Sequence, residues 1–487
     1  MLWIAGLSCA AIAMAAAPAP LPLDRIGALV DAGDFKAAES GIADALQQPG
    51  LSSQQQQAYA FQRERMRRIL LDFTLDEDGV KAGVRKQVPD LSDAEFAKWN
   101  AAGLFEHQVI DGRTLYFKRS PSNLFRLSKE ALARRDPKLS PITDGPMESL
   151  NDRQRAIHDA ALAGHRNSVL PLRLRMTQKL TVDADAVPAG EPVHAWIPYP
   201  RALPGHQEDI RFIGSVPAKN SIAPESALQR TVSLEKPARA GQPTQFSITY
   251  ELTIYGQYNA IDADKVVAPE ITPDLAPFVA ERAPHVVFTE DLREFSRKVV
   301  GDEKNPYRIA QKLFAAVDKI PWAGAREYST ISNISDYALH AGHADCGQQT
   351  LLLITLLRLN GIPARWQSGM VFSDTSYNNI HDWGQVYFAP YGWVPMDVTT
   401  GLLSLEKGKG DEPSLEWFYL GGLDNWRIAF NDDWSQPFQP PKRQFRSDNV
   451  DSQRGEVEWS GGNLYFNQWD YDFEWQILPA EQASAER

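Results

Sequence analysis

Apolar residues between Leu23 and Phe73 recur at helical spacing. Ile26, Leu29 and Val30 form one stripe, Gly33-Asp34 interrupts it, and Phe35, Ala38, Ile42 and Leu46 form the next. The two stripes outline a single helix-pair repeat, and without a second copy a solenoid is not indicated. Further on, Ser92 and Glu95 spell a capping box ahead of a helix carrying Phe96 and Trp99. Val109-Ile110, Asp111-Gly112 and Leu115-Tyr116-Phe117 then predict a hairpin with a type I′ turn. Helix plus hairpin has a winged-helix outline. From about Val169 to Tyr255 the period changes to two: Leu172, Leu174 and Met176 alternate with polar residues, as do Phe246, Ile248, Tyr250, Leu252 and Ile254. Strands punctuated by Gly and Pro predict a β-sandwich.

A Pro-dotted linker from Pro269 to Pro284 closes that region. Asn305-Pro306 then opens a helix with Ile309, Leu313 and Val317 on one face. The expected class is multidomain α+β. A helical and winged-helix-like region is assigned to 18–165, a β-sandwich to 168–258 and a core to 285–405. A Trp-rich strand and loop extension, 406–487, is expected to pack on that core.

The chain has 487 residues, a net charge of −12 and a pI near 5.3. This length holds two to four domains. The acidic balance argues against a nucleic-acid partner and against adsorption to anionic membranes. Winged-helix DNA reading is disfavoured with it, which leaves that region as scaffold. Met1 to Ala17 is apolar and uncharged, and Ala13, Ala15 and Ala17 offer A-x-A cleavage sites. Residues 1–17 are therefore expected to be a signal peptide and the protein to be periplasmic or secreted. Cys9 lies inside this run, but Gly6 three residues earlier makes a poor lipoprotein box. No other stretch approaches the ~20 apolar residues of a membrane span.

Removal of Cys9 leaves Cys346 alone, and a single cysteine cannot form an internal disulfide. An inert buried thiol is the bland alternative, and the surroundings argue against it. The run from Gly347 to Leu357 is apolar nearly all round, which predicts a buried helix that Gly361 and Pro363 end. Cys346 then sits at a helix N-terminus, where unpaired N–H groups and the dipole favour thiolate and can stabilise an oxyanion. Downstream, His381 opens a strand to Phe388, Ala389-Pro390-Tyr391-Gly392 turns, and Trp393 to Val398 returns. His381 and Asp397 are equidistant in sequence from Ala389. A hairpin centred there, or a residue or so later, brings them within cross-strand reach. Either residue alone has an ordinary structural reading. With Cys346 they make a nucleophile, a base and an orienting group. His340, His343, Asp345 and Cys346 could be read as metal ligands, but they sit in a Gly-containing loop without paired cysteines. No phosphate- or dinucleotide-binding glycine motif is present, and no cofactor is expected.

Asp345-Cys346-Gly347, Gly361-Ile362-Pro363-Ala364-Arg365, His381-Asp382-Trp383 and Gly392-Trp393-Val394-Pro395-Met396-Asp397 together resemble the transglutaminase-like superfamily core. Cys346-Gly347-Gln348-Gln349-Thr350, Arg365-Trp366-Gln367-Ser368-Gly369 and Gln453 to Trp459 are similar to exported bacterial members. The resemblance implies a papain-like fold, with the nucleophile's helix packed on an antiparallel sheet carrying base and acid. It implies Cys346 as nucleophile, His381 as base and acid, and Asp397 as orienter. Family members also use an upstream side-chain donor for the oxyanion, for which Trp322 or Tyr328 is available. Trp322, Tyr328, Trp366 and Trp383 are the candidate substrate-binding residues. The calcium loops of animal transglutaminases and the zinc cysteines of cytosolic peptide N-glycanases are not evident. The expected activity is a thioester-forming amidase or protease on a protein or peptide substrate, or an acyl transferase. The alternatives are a non-catalytic peptide or glycan binder on the same fold, or a glycopeptide amidase.

Overall fold

A computed structural model describes residues 21–142, 145, 147–374, 377–406 and 409–479. The apolar run of residues 1–17, with its cleavage sites and Cys9, lies outside the described residues. Among those described, twelve α-helices combine with four antiparallel sheets.

The N-terminal stripes fold as helices Leu23–Ala32, Phe35–Leu46 and Ser53–Asp72 around Ile26, Val30, Ala38, Ile42 and Ile69. Ser92 and Glu95 form a reciprocal capping box on helix Asp93–Ala101. Strands His107–Ile110 and Arg113–Phe117 pair antiparallel, and Phe73–Leu75 adds a third strand. Asp111 and Gly112 both have positive φ, which a type I′ turn requires.

Two five-stranded sheets follow. One aligns Gly422–Leu423, Thr244–Tyr258, Ser168–Val182 and Trp469–Ile477, with Gln207–Val216 also on Thr244–Tyr258. The other aligns Gly462–Leu464, Glu456–Trp459, Pro192–Pro198, Thr231–Pro237 and Asn220–Ile222. Leu174, Met176, Ile197, Val232, Ile248, Val457 and Trp469 belong to one shared core. The C-terminal extension was expected to pack on the 285–405 segment. Leu415, Phe418, Tyr419, Leu420, Trp434 and Val450 of the extension share the core of that segment, while most of its strands complete these two sheets and Arg427–Asn431 joins the segment's own sheet. The reason is edge satisfaction: Trp469–Ile477 supplies the ladder that the outer edge of Ser168–Val182 lacks.

The fourth sheet has the order Gly392–Met396, Asn378–Phe388, Ala364–Phe372, Arg427–Asn431. Helix Cys346–Leu359 packs against it, burying Leu351, Leu353, Ile354 and Leu357 with Trp366, Val386, Val394 and Met396. Its all-apolar surface is explained by helices Glu290–Val300, Pro306–Asp318 and Ile334–His340 lying on its other sides. Gly369 pairs with His381 on one side and Ala429 on the other; a Cβ there would lie 1.9 Å from Ile428 O. A glycine is thus required where three backbones approach around the histidine.

Candidate active site

The helix bearing Cys346 begins with Asp345 as N-cap. Its Oδ1 accepts from Gln348 N at 3.0 Å, and Gln348 Oε1 accepts from Asp345 N at 3.2 Å. Cys346, partly exposed, follows in the first turn. Its Sγ donates to Asp382 Oδ2 at 3.2 Å. Tyr328 Oη lies 3.0 Å from Asp345 Oδ1 and 3.1 Å from Asp382 Oδ2, bridging the two carboxyls beside the sulfur. Gln453 Nε2 donates to Asp382 Oδ1 at 2.8 Å and to His381 O at 2.7 Å.

Helix position alone was expected to favour the thiolate. The surroundings oppose it: burial first, then the Asp382 and Asp345 carboxyls, push the Cys346 thiol well above its usual value. Burial also moves Asp345 up to about 6, against the hydrogen bonds from Gln348 and Tyr328. Burial and then the neighbouring Asp451 raise Asp382 well above the carboxylate range.

His381 and Asp397 meet as the hairpin reading required. The ladder pairs Phe388 with Gly392 and Gly384 with Met396, so the hairpin is centred on Pro390, one residue later than Ala389. His381 and Asp397 are consequently diagonal neighbours on one face, and His381 Nε2 is 2.8 Å from Asp397 Oδ2. Nδ1 is the ring nitrogen left for another partner. Asp397 Oδ1 accepts from Thr399 N at 3.1 Å and Thr400 N at 3.2 Å. Arg427, fully buried, donates to Asp397 Oδ2 and, through Nε, to Asp424 Oδ2 at 2.8 Å. Burial works against a charged Asp397, but His381 and Arg427 outweigh it and hold the carboxyl well below its usual range.

Two cavities meet at the sulfur. One, of about 550 Å³, is walled by Tyr328, Asp345, Asp382, Gln453, Arg454 and the aromatic segment Tyr465 to Tyr471. The other, of about 240 Å³, is walled by His381, Thr399, Thr400, Arg126 and Arg427. Cys346, Trp322 and Asn379 line both. Cys346 therefore shares one cavity wall with His381 and the other with Asp382, and its own hydrogen bond goes to Asp382.

Of the four aromatic candidates, Trp322 and Tyr328 line the cavities, and the Arg126 guanidinium stacks over Trp322 at 4.4 Å. Trp366 and Trp383 do not. Trp366 is fully buried in the core beneath the sheet. Trp383 is fully buried, donates Nε1 to Gln367 Oε1 at 3.0 Å and stacks on His381. Strand residues with large apolar side chains have been drawn inward here, which removes both from substrate contact. His340 bonds Asp291 and the Asp336 carbonyl, and His343 bonds the Ala341 carbonyl. Among the described residues no group of three or more His, Cys, Asp or Glu could hold a metal ion, and no helix is long and apolar enough to cross a membrane. Sequence reasoning missed Asp382, Arg427, Asp451 and Gln453. Asp382 stood beside His381 in one quoted motif and Gln453 opened another, and these were the legible signals.

Gly347 permits the crowding at the sulfur, since a Cβ there would lie 2.1 Å from Tyr328 Oη and 2.7 Å from Asp382 Oδ2. Gly347→Ala is expected to expel Tyr328 from between the carboxyls and to cost about 1–3 kcal/mol in overpacking. Urea denaturation checks this, and an unchanged midpoint would show that the site relaxes freely.

Residues 293–398 match the model of the transglutaminase-like superfamily. The chain is 34% identical over 71 residues to the uncharacterized protein YebA of Bacillus subtilis (strain 168). That alignment covers 12% of this chain and 10% of YebA, so the chain spans about a tenth of the length of this curated relative. Among solved structures, a "Putative Cysteine Protease" from Cytophaga hutchinsonii is similar at 16% identity, covering 65% of this chain and 93% of that one, with a TM-score of 0.44. The periplasmic domain of TgpA from Pseudomonas aeruginosa is similar at 12% identity, covering 54% of this chain and 95% of that one, with a TM-score of 0.27.

Proposed function

Residues 293–398 carry a transglutaminase-like core, and from that premise we propose that the protein is a cysteine-dependent amide hydrolase working through Cys346, His381 and Asp397. The observation that carries the reading is the 2.8 Å contact between His381 Nε2 and Asp397 Oδ2, on the wall of a cavity that Cys346 also lines. Asp397 fixes the tautomer and leaves Nδ1 to take the thiol proton. The sulfur attacks a peptide or carboxamide carbonyl, and the C=O electron pair moves to oxygen. Tyr328 or Trp322 donates to that oxygen. Collapse breaks the C–N bond, His381 returns the proton to the departing amine, and a thioester remains for water to hydrolyse. Water is the proposed acceptor because it is always present; a lysine amine in its place would make the protein a cross-linking transferase. With residues 1–17 as a cleaved leader, the enzyme acts in the periplasm or outside the cell.

The raised Cys346 thiol makes this activation concerted, as for a serine, rather than through a standing thiolate. Iodoacetamide is therefore expected to label the free protein slowly near neutral pH and faster as pH rises. The test is acylation by p-nitrophenyl acetate, with the adduct located by mass spectrometry. Cys346→Ala is expected to abolish both the p-nitrophenolate burst and the labelling. A burst of wild-type size in that variant would end the nucleophile assignment.

The rival reading, a non-catalytic binder, draws on the sulfur's hydrogen bond to Asp382 instead of His381. A binder would give no acyl adduct on Cys346 at any pH.

A further inference from the structure

We propose that the cavity shared by Cys346 and His381 is a carboxylate subsite, in which Arg126 binds an acidic group carried by the amine half of the substrate. The proposal rests on the thiol mechanism above and names its substrate class: amides whose departing amine bears a carboxylate, as an Asp or Glu side chain or as a free C-terminus.

The reaction's own geometry decides which half enters this cavity. His381 must reach the departing nitrogen to protonate it, so the amine half lies along the wall that His381 lines. That wall belongs to the cavity of about 240 Å³, while the cavity of about 550 Å³ is lined by its strand neighbours Ile380 and Asp382. The acyl half is left with the larger space. The smaller one has room for a single side chain or a terminal carboxylate.

Arg126 reaches that space from outside the 293–398 core. It sits in the last turn of helix Ser120–Leu127, in the N-terminal region that the sequence analysis left as scaffold. Asn123, one turn earlier and buried, clamps this helix to the segment carrying Trp322. Its Nδ2 donates to Gly324 O at 2.8 Å, and its Oδ1 accepts from Gly324 N at 3.0 Å. The same segment is tied to the approach to the thiol helix: Ala323 N donates to Ala344 O and Ala344 N to Pro321 O, each at 3.1 Å. Arg126 and Cys346 are therefore fixed to one short strip of backbone. The guanidinium lies 4.4 Å over the Trp322 ring, which restrains its plane and leaves its N–H edge for a bidentate carboxylate.

Charge on the walls favours an anion beside Arg126. Arg427 lines the cavity too, but is committed to Asp397 and Asp424. Arg126 pairs with no carboxylate among the described residues. Glu148, on the same wall, lies beside Tyr377 and forms no ion pair with Arg126. Once it has taken the thiol proton, His381 is a further cation in this space.

Acetyl-enzyme made with p-nitrophenyl acetate gives the test, because an amine that captures the acetyl group must enter where the leaving amine departs. The amine nitrogen attacks the thioester carbonyl, its proton passes through His381 to sulfur, and the C–S bond breaks. Two acceptor pairs separate the sources of the carboxylate: aspartic acid α-amide against asparagine amide for a side chain, and alanine against alaninamide for a terminus. Mass spectrometry counts the N-acetyl products at matched free-amine concentration. Comparing each acid-to-neutral ratio between wild type and variant cancels the amines' own reactivity. In at least one pair Arg126→Gln is expected to lower the ratio about tenfold. Arg126→Lys should fall between, since charge stays but the planar fork is lost. The pair that responds identifies the source. Arg119→Gln removes a cation from the N-cap of the same helix, where it lines the larger cavity. In about 0.15 M salt, which screens distant charge, it should leave both ratios within about twofold of wild type. Equal ratios in wild type and Arg126→Gln for both pairs overturn the proposal. So does an equal loss in Arg119→Gln, and so does capture by no amine at all. A wild type that forms no acetyl adduct on Cys346 fails the thiol mechanism itself, a result distinct from an adduct without acid preference.

Discussion

Asp397→Asn is expected to slow acylation of Cys346 by about 10⁴-fold while leaving the protein folded. The carboxylate accepts from His381 Nε2 at 2.8 Å, so Nε2 must carry hydrogen and Nδ1 must be the free base. An asparagine can present its amide hydrogens to Nε2 and stabilise the opposite tautomer, with Nδ1 protonated and unable to receive the thiol proton. The backbone donors Thr399 N and Thr400 N can bond an amide oxygen in the Oδ1 place, so the loop keeps its shape, while Arg427 loses its acceptor at Oδ2 and keeps Asp424. The loss should therefore appear chiefly in the p-nitrophenyl acetate burst, with the denaturation midpoint lowered only as far as Arg427 misses one of its two carboxylates. Less than a tenfold loss in a folded variant would remove Asp397 from the orienting role and leave His381 without one. Because Cys346 is held as a thiol by its buried, carboxyl-rich setting, the reaction depends more on this base than it would with a standing thiolate.

The contrast between His381 and Asp382 shows what the chain disclosed and what it hid. His381 and Asp397 were legible because both lie on one hairpin, and hairpin geometry converts sequence spacing into distance. The turn supplied the only uncertainty, and its centre at Pro390 changed direct opposition into a diagonal. Cys346 was legible because an all-apolar run must be a buried helix and its start must be a capped N-terminus. Asp382 was hidden by the same alternation that exposed its neighbour, since adjacent strand residues face opposite sides of the sheet. Turning His381 toward the nucleophile therefore turned Asp382 away. Cys346 in fact lines both cavities, and its sulfur bonds the Asp382 side. Arg427 and Asp451 were illegible for another reason. They belong to the C-terminal extension, and nothing in local periodicity tells that Arg427–Asn431 pairs with Ala364–Phe372. Trp366 and Trp383 erred in the opposite direction: proximity to the motif suggested substrate contact, but burial in a sheet packed on both faces decided their role.

Arg427→Met is expected to be the most destabilising change at the site, by about 3–5 kcal/mol near neutral pH. The guanidinium is fully buried and joins two buried carboxylates, Asp397 and Asp424, while lying over the Tyr419 ring at 5.1 Å. Methionine fills much of the volume, so the loss is one of charge compensation more than of packing. The sign of its pH dependence follows from Asp397. In the native protein its folded value is depressed, so its contribution is present above the unfolded value of about 3.9 and is lost only as pH falls through the much lower folded one. Without Arg427 that depression shrinks and burial works to raise the carboxyl. The variant's deficit should then be full near pH 7 and narrow as acid neutralises Asp397. Urea midpoints at about pH 7 and about pH 4.5 measure it. A deficit of equal size at both would mean that Arg427 acts through shape alone. Adding Asp397→Asn to Arg427→Met should recover stability without recovering acylation, because the uncompensated charge goes and the orienting carboxylate goes with it. Arg427 is thus a positioning residue. It lets a buried aspartate stay ionised, and only an ionised aspartate can hold His381 in the form that accepts the proton from Cys346.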